Sequence, residues 1–175
     1  MLVIGYGGAG ACAAIEAHDN GSKVLIIEKM VQPGGNTAIS SGGFMVPQDG
    51  PTALKYLTAT YDLANSEKDD ELLNTFCKEI MGVKDWMTGL KEGTELWVYG
   101  HAGFQNLPGW EVIDKYRVRG KKRSGDCLFD LYRYAVEEKR NIPVMLETPA
   151  VQLIQKDGQV VGAVAKNNGK NINIK

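Results

Sequence analysis

The sequence predicts an α/β fold with a parallel sheet and a β-meander, and three observations support it. A short apolar run, Leu2 to Ile4, leads into a glycine-rich turn and an alanine-rich segment. A second apolar, β-branched run, Val24 to Ile27, follows at the distance that a strand–helix–strand unit needs. Near the end of the chain, short alternating segments are separated by turn residues. Such a pattern is typical of a sheet with helices packed on its face.

The first turn carries Gly5, Gly7 and Gly10 in the spacing G-x-G-x-x-G. In such a turn the first glycine permits the tight bend, the second lets the backbone approach a pyrophosphate, and the third lets the helix pack closely on the strand. N–H groups at the start of the helix, at the positive end of its dipole, attract phosphate. We therefore predict a Rossmann-like dinucleotide site at this turn.

The residues after the turn supply the context that this fingerprint requires. Ala11 to Asp19 predicts a helix, and the following Asn-Gly pair predicts its end. Val24 to Ile27 predicts a buried parallel strand that ends in Glu28, which lies 18 residues after Gly10. A carboxylate at this place accepts hydrogen bonds from ribose hydroxyls. The alternative is a chance βαβ unit with a surface glutamate.

The segment from residue 29 to residue 43 indicates which of two kinds of dinucleotide site the chain forms. Two Gly-Gly pairs, Gly34-Gly35 and Gly42-Gly43, flank small polar residues. A nicotinamide-binding domain would continue here with a crossover helix and a third parallel strand. We expect instead an open segment that presents N–H groups and hydroxyls to a large flat ligand.

In this stretch the chain resembles a known family. Residues 5 to 43 look like the FAD-binding start of the fumarate reductase and succinate dehydrogenase flavoproteins, which include 3-ketosteroid dehydrogenases and urocanate reductase. The resemblance implies an FAD-dependent oxidoreductase that oxidises or reduces a C–C bond next to a carbonyl or carboxylate, by hydride transfer with flavin N5. The implied substrate is a small molecule, either a steroid or an unsaturated acid, with a slight preference for steroids. The electron partner stays open.

The resemblance also assigns cofactor-binding residues. Glu28 matches the ribose-binding acid with Lys29 beside it, and Asn36 and Thr37 match contacts to the pyrophosphate and the flavin. The glycine pair at 42 and 43 matches the backbone beside the isoalloxazine. The full cofactor-binding set is Gly5, Gly7, Gly8, Ala9, Gly10, Glu28, Lys29, Gly34, Gly35, Asn36, Thr37, Ser41, Gly42, Gly43 and Val151.

Two of these assignments carry a further expectation. Membrane-bound family members have a flavin-linked histidine where this chain has Asn36, so the resemblance implies non-covalent FAD. The alternative for Asn36 and Thr37 is a turn with a helix cap. Val151 matches a residue that binds adenine through its main chain, and the alternative is an ordinary strand residue.

The middle of the chain predicts helices and a candidate catalytic loop. One helix starts after Asp49, and a second is expected from about 70 to 90, with Leu72 and Phe76 on its apolar face. Residues 92 to 108 are expected to be irregular. Tyr99 and His101 in this segment are candidate catalytic residues, because a phenol or an imidazole can hydrogen-bond a carbonyl or carboxylate. The alternative, that they are ordinary loop residues, stays open. Trp97 and Trp110 are expected in a small core.

The last third predicts a charge run, a helix and strands. Residues 117 to 123 are expected to form a solvated loop, with attraction of an anionic substrate or a cofactor phosphate as the alternative. A helix follows from Ser124, then a strand at 144–147. A hairpin pairs residues 151–155 with 160–165 through the turn at Asp157-Gly158, and a third strand starts after Gly169.

Bulk properties exclude several classes. The formal net charge of −1 gives nucleic-acid binding no support, and no apolar run reaches membrane-spanning length. The three scattered cysteines favour a reducing, cytoplasmic location and no metal site.

The resemblance implies that residues 1–175 are an incomplete FAD-binding domain. The cap domain and the C-terminal FAD-binding segment of the family are not matched, so the isolated chain is expected to be inactive. The alternatives are a non-catalytic piece that binds FAD or its ADP half, and an NAD-dependent dehydrogenase.

Overall fold

A computed structural model describes all residues from 1 to 175, arranged in two compact units. The first unit comprises Met1–Ser40 and Gly125–Lys175, and the inserted unit comprises Ser41–Ser124. In chain order the strands and helices are β1 (Leu2–Ile4), α1 (Gly8–Asp19), β2 (Leu25–Ile27), α2 (Gly35–Ile39), β3 (Phe44–Pro47), α3 (Gly50–Leu63), α4 (Asp70–Glu79), α5 (Val83–Gly89), β4 (Leu96–His101), β5 (Ile113–Val118), α6 (Ser124–Arg133), β6 (Val144–Met145), β7 (Ala150–Lys156), β8 (Gln159–Asn167) and β9 (Lys170–Ile174).

A three-stranded parallel sheet organises the first unit and confirms the predicted α/β class. Its strand order is β1-β2-β6, and Val3 pairs with Ile26 in register. Both side chains are buried, as the continuous apolar character of the two strands predicts. The third strand does exist, but it follows α6 rather than β2. The inserted unit therefore interrupts the chain between the second and third strands of the sheet.

Helix α1 packs its small residues against this sheet. Ala11, Ala14 and Ile15 are fully buried, so the alanine-rich sequence allows close approach of helix and strand. The helix starts at Gly8, three residues before the predicted start at Ala11. The three glycines of the turn thus belong partly to the helix itself.

In the first unit, helix α6 continues into a π-helical turn, Tyr134–Glu138, before the chain reaches β6. Phe129 of α6 makes an edge contact with Tyr6, at 5.3 Å between ring centroids. The Tyr6 hydroxyl is buried without a hydrogen bond of standard geometry, although Glu137 is its charged neighbour. Burial, followed by the Glu137 carboxylate, raises the pKa of Tyr6 well above its usual range, so this phenol stays neutral.

An ion pair ties the end of α1 to the chain after α6. Arg140 donates from Nε and Nη2 to the two carboxylate oxygens of Asp19, at 2.7 and 2.5 Å, and from Nη1 to the carbonyl of Ala135 at 2.9 Å. The hydrogen bonds from Arg140 lower the pKa of Asp19 from 3.8 to about 2. Such a forked pair fixes the helix ends in a defined geometry.

This pair gives a pH-dependent prediction for stability. Because the folded-state pKa is depressed, the pair stabilises the chain above pH 3.8, and the contribution is lost as the pH falls through about 2. The Asp19 side chain is 44% exposed, so we expect Asp19→Asn to lower the free energy of unfolding by only about 1 kcal/mol at pH 7. Urea unfolding at pH 7 and near pH 2 measures both values. The exposed Asp62→Asn serves as control; an equal loss at both pH values for Asp19→Asn would contradict the assignment.

The C-terminal meander forms as the sequence predicts. Strands β7, β8 and β9 pair in that order as an antiparallel sheet, and the first hairpin turns at Asp157 and Gly158. Both turn residues have positive φ, which Asp and Gly adopt readily. Ala163 and Ala165 of β8 are fully buried, while most of β7 is exposed.

The inserted unit is a three-stranded antiparallel sheet with helices. Its strand order is β3-β5-β4. Helix α3 begins as predicted, because the Asp49 side chain accepts a hydrogen bond from the Thr52 N–H at 2.8 Å. Its core cluster consists of Ala53, Tyr56, Cys77, Ala102 and Ile113. None of the helices combines the length and apolar character that crossing a membrane requires.

The single helix expected from about 70 to 90 is wrong. The structure has two helices, α4 and α5, joined by a 3₁₀ turn at Ile80–Gly82. Leu73 and Cys77 of α4 and Met87 of α5 are buried. Leu72 and Phe76, which we expected in the core, are 66% and 44% exposed.

Two expected loops are partly strands. The segment from 92 to 108 contains β4, and the basic run that starts at Arg117 has its first two residues in β5. The two strands pair with each other, a long-range contact that alternation alone does not reveal. Trp97 lies exposed on β4 and is not core, whereas the half-buried Trp110 packs against the core cluster as expected.

Candidate functional site

The glycine turn after β1 requires glycine at two positions for different reasons. Gly5 has a φ of +100°, a backbone conformation that residues with a side chain rarely adopt. Its N–H donates to the carbonyl of Ile27 at 2.8 Å. A Cβ on Gly10 would lie 2.0 Å from the Gly5 carbonyl oxygen. The start of α1 therefore packs directly on the turn, which the spacing of the three glycines predicts.

The N-terminus of α1 is equipped to hold an anion. Gly7 is the N-cap, with no side-chain cap, and the first turn has no acidic residue. The Gly8 N–H donates to the Thr37 hydroxyl oxygen at 3.0 Å. The N–H groups of Ala9 and Gly10 lack intrahelical acceptors by the geometry of a helix start. These donors and the helix dipole favour a phosphate group.

The Gly34–Gly35 pair lies against the glycine turn after β1. Gly34 forms a parallel bridge with Gly7, and its N–H donates to the Tyr6 carbonyl at 2.7 Å. Gly34 and Gly35 have φ values of +115° and +48°. A Cβ on Gly34 would lie 2.7 Å from the Cβ of Ala38. The segment that we predicted to line a ligand is thus held at the mouth of the first strand.

This segment is not wholly open, however. Residues 35 to 39 form the short helix α2, which provides no crossover to a neighbouring strand. Asn36 and Thr37 lie inside it, and Gly34 rather than either of them is the N-cap. Asn36 is exposed, and the Thr37 hydroxyl, which accepts from Gly8, keeps its own hydrogen available for donation.

Glu28 is fixed by the backbone around it. Glu28 is only 8% exposed. Its two carboxylate oxygens accept hydrogen bonds from the N–H groups of Tyr6 and Met30, at 2.7 and 2.8 Å. Each carboxylate oxygen has a second lone-pair site, so the group can also accept from two ribose hydroxyls. The same carboxylate therefore holds the glycine turn and faces the predicted ligand position.

A cavity of about 160 Å³ opens beside Glu28. Its walls come from the ends of β1 and β2 and from the segment before β7: Ile4, Gly5, Glu28, Lys29, Thr148 and Ala150. The cavity lies at the carboxyl ends of parallel strands, where open α/β sheets bind their ligands. Lys29 is exposed at its rim.

The far wall of this cavity is a feature that the sequence analysis missed. Thr148 is fully buried, and its N–H donates to the Glu28 carbonyl at 2.8 Å. Its hydroxyl donates to the Leu146 carbonyl and accepts from Asn167, both at 2.7 Å. Glu147, just before it, has a φ of +50°. A polar Thr-Pro pair between two strands was the available signal, but it does not distinguish a cavity wall from an ordinary turn.

Val151 lies next to this wall in an irregular part of the sheet. Ala150 pairs with Ala165 and Gln152 pairs with Val164, so Val151 has no partner across the ladder. Val151 is 56% exposed. A bulge residue leaves its main-chain groups free of the sheet, which suits the predicted main-chain contact to adenine.

Val151 provides a prediction that separates main chain from side chain. Val151→Pro removes one N–H, and we expect a roughly tenfold weaker FAD affinity, the value of one hydrogen bond. Val151→Thr keeps the main chain and the shape, and we expect no change. Titration of the apoprotein with FAD measures both affinities. Loss of affinity in Val151→Thr but not in Val151→Pro would contradict a main-chain contact.

The remaining predicted cofactor residues belong to the inserted unit. Ser41 and Gly43 are exposed, and Gly42 is buried with a φ of +65°. A Cβ on Gly43 would lie 2.1 Å from the Tyr99 hydroxyl oxygen. The Tyr99 hydroxyl therefore packs closely over Gly43, and a side chain at position 43 would displace it.

The two candidate catalytic residues lie in different surroundings. His101 Nδ1 is 3.1 Å from an oxygen of Asp114, and its ring meets Trp110 edge-on at 5.9 Å. Asp114 is buried and also accepts from Gln48 at 3.0 Å. Asp114 thus orients the imidazole. Tyr99, in contrast, stacks under a guanidinium, with 3.9 Å between its ring centroid and Cζ of Arg117.

The first unit therefore fits a dinucleotide cofactor: a bare helix N-terminus, a glycine cradle and a fixed carboxylate beside a cavity. A search against protein families matches the family described as FAD binding domain over residues 1–175. The chain belongs to this family. Within the FAD-binding-domain family the cofactor is FAD, and an NAD-dependent dehydrogenase is not supported.

Relatives of this FAD-binding domain include characterised reductases. The chain is 31% identical to a fumarate reductase (cytochrome) of Shewanella frigidimarina over 176 residues, covering 95% of this chain and 29% of that protein. It is 30% identical to the urocanate reductase of Eggerthella lenta, covering 95% of this chain and 28% of that protein. The chain thus spans under a third of the length of these relatives.

The fold of this FAD-binding domain also occurs in solved structures. A 3-ketosteroid Δ1-dehydrogenase from Sterolibacterium denitrificans superposes with a TM-score of 0.86, at 19% sequence identity, covering 99% of this chain and 45% of that chain. At this identity the likeness concerns the fold alone. It agrees with the family match and with the α/β class that the sequence predicts.

Proposed function

We propose that this chain is the cofactor-binding part of an enzyme that oxidises or reduces a C–C bond next to a carbonyl or carboxylate. The observation that supports the proposal is the arrangement after β1, where Glu28 holds the Tyr6 N–H, Gly34 bridges Gly7 at the start of α1, and a cavity opens beside Glu28. This arrangement suits an extended dinucleotide rather than a single phosphate.

Different residues of the chain are assigned to different parts of FAD. Glu28 would accept hydrogen bonds from the ribose hydroxyls, and the N–H groups of Ala9 and Gly10 would hold the diphosphate, with the Thr37 hydroxyl as a further donor. Val151 would contact the adenine through its main chain. When bound, FAD supplies a centre that accepts or donates hydride at N5. The protein supplies position and electrostatics.

The relatives support the class of substrate. Fumarate and urocanate, which name the two reductases, are unsaturated carboxylic acids, and a further relative is named a 3-oxo-5-alpha-steroid 4-dehydrogenase, 31% identical over half of this chain. All three names denote chemistry at a C–C bond conjugated to a carbonyl or carboxylate. We infer that the complete enzyme acts on such a bond, with an electron partner still to be identified.

The remaining inferences concern how FAD is attached, how much of an FAD-binding domain residues 1–175 represent, and where the protein is located. Asn36 has no nucleophilic side chain to bond the flavin, so we infer non-covalent FAD that acid denaturation releases. We regard residues 1–175 as an incomplete FAD-binding domain, inactive alone. The three free cysteines support a reducing, cytoplasmic location.

The proposal is tested by turnover of the complete gene product. With a reduced viologen dye as electron donor, we expect flavin-dependent reduction of fumarate, urocanate or a steroid enone. A flavin absorption band without turnover of any of these would favour the non-catalytic alternative. Absence of the band after reconstitution with FAD would overturn the proposal.

A further inference from the structure

A fully buried tyrosine lies inside the glycine turn. Tyr6 stands between Gly5 and Gly7, and its main-chain groups join the turn to two other segments of the cofactor site. Its N–H donates to the Glu28 carboxylate at 2.7 Å, and its carbonyl accepts from the Gly34 N–H at 2.7 Å. The position of the Tyr6 backbone therefore determines where Glu28 and Gly34 stand relative to each other.

The side chain of Tyr6 packs on helix α6. Its ring meets the ring of Phe129 edge-on, with 5.3 Å between centroids and 69° between planes. Phe129 also lies close to Gly34, where an added Cβ would be 3.1 Å from Cδ1 of Phe129. One aromatic side chain of α6 thus supports both segments that the Tyr6 carbonyl joins.

Other residues of α6 with the same spacing meet the same region. Gly125, four residues before Phe129, packs on the end of α2, where an added Cβ would lie 2.5 Å from the Ala38 carbonyl oxygen. The Glu137 carboxylate, eight residues after Phe129, lies near the Tyr6 hydroxyl. Residues four apart share one face of a helix. This face of α6 therefore supports the glycine turn and α2 together.

The contacts of Tyr6 depend on its ring and not on its hydroxyl group. The hydroxyl is buried without a hydrogen bond of standard geometry, a state that costs free energy. The ring, in contrast, fills the space between the turn and Phe129. Truncation of a buried ring leaves a cavity into which the surrounding backbone relaxes. Here that backbone carries the hydrogen bonds to Glu28 and Gly34.

We propose that Tyr6 is a positioning residue of the cofactor site, whose ring, packed on Phe129, holds the glycine turn where Glu28 and the Gly34–Gly35 segment bind FAD together. The inference rests on the proposed function, because it takes these segments to bind the cofactor. Tyr6 acts through its neighbours, since its side chain is fully buried behind the turn. Helix α6 then contributes to cofactor affinity from within the core.

Titration of the apoprotein of the complete gene product with FAD, and separately with ADP, tests this inference. We expect Tyr6→Ala to raise both Kd values about thirtyfold, because hydrogen bonds at the ribose and at the diphosphate are weakened together. Tyr6→Phe keeps the ring and should stay within about twofold of the wild type. The titrations are compared with the melting temperature of each apoprotein.

Tyr132→Ala is the matched control. Tyr132 is a half-buried tyrosine of α6 that is hydrogen-bonded to Cys12 of α1. Its truncation should lower the melting temperature, as loss of a packed ring does. We expect both Kd values to change less than about twofold, so that affinity and stability are separated.

A further variant keeps the test decisive if Tyr6→Ala folds poorly. Tyr6→Leu retains most of the buried volume without the flat ring, and we expect a roughly fivefold higher Kd with a smaller loss of melting temperature. An equal rise in Kd for Tyr6→Ala and Tyr132→Ala, an unchanged Kd in Tyr6→Ala and Tyr6→Leu, or a Tyr6→Phe protein as weak as Tyr6→Leu would overturn the inference and leave the proposed function standing. A wild-type protein that binds no FAD would overturn both.

Discussion

Replacing Gly10 with alanine is expected to abolish FAD binding and to destabilise the first unit by at least about 3 kcal/mol, the upper end of the usual cost of overpacking. The added Cβ would lie 2.0 Å from the Gly5 carbonyl oxygen and 3.1 Å from its carbonyl carbon. Backbone atoms cannot rotate away as a side chain does. The α1 N-terminus must therefore move off the turn, and the phosphate donors move with it. Urea unfolding and FAD titration measure the two effects.

Gly82→Ala is the matched control for this substitution. Gly82 has ordinary helical dihedral angles, and a Cβ there would meet nothing within 4 Å. We expect it to leave FAD affinity unchanged and to stabilise the chain by about 0.5 kcal/mol through the unfolded state. If Gly10→Ala bound FAD as the wild type does, the close packing of the helix on the turn would not be needed for the site.

Removing the Glu28 carboxylate is expected to have the second-largest effect. Glu28→Ala leaves the N–H groups of Tyr6 and Met30 without their acceptors, and it removes the acceptors for the ribose. A buried donor left unpaired costs about 1–3 kcal/mol. We expect FAD affinity to fall at least about a hundredfold, because two charged hydrogen bonds to the ligand are lost in addition.

Glu28→Gln separates the structural role from the ligand-binding role. Glutamine keeps the shape and one acceptor but sets its NH2 group against one of the two backbone N–H groups, so we expect a smaller loss of apoprotein stability than in Glu28→Ala, while FAD affinity falls about tenfold. Exposed Glu92→Gln provides the control. Equal FAD occupancy in wild type and Glu28→Ala, measured by the flavin absorbance of the reconstituted protein, would contradict the ribose assignment.

The parts of the site that the sequence predicts are those set by local backbone chemistry. Gly5, Gly7 and Gly10 fix a turn within six residues, and a β-branched run places Glu28 at the end of the next strand. The bridge between Gly7 and Gly34 follows from the same logic, because a glycine-rich segment after that strand can approach the turn closely. Short sequence separation leaves few alternative arrangements.

The parts that the sequence does not predict depend on distant pairing. Arg117 falls in a basic run that resembles a solvated loop, but pairing of β5 with β4 makes it a strand residue stacked on Tyr99. The strand at 144–147 is predicted, but its parallel pairing with β2 as β6 is not, and the break at Ile80–Gly82 interrupts a periodic pattern. No local signal marks which strand a segment will pair with.

The cavity wall shows the same limit. Thr148 is buried because the chain after β6 returns to Glu28, and its hydrogen bonds go to Glu28, Leu146 and Asn167. Nothing in the residues around Thr148 distinguishes this placement from a surface turn. The wall was therefore predictable only once the sheet order was known.

The most direct measurement is an experimental structure of the complete gene product with FAD. We expect ribose oxygens within hydrogen-bond distance of the Glu28 carboxylate, the diphosphate at the N–H groups of Ala9 and Gly10, and adenine at the main chain of Val151. Adenosine density elsewhere on the protein, with the opening at β1 filled by solvent, would contradict the account.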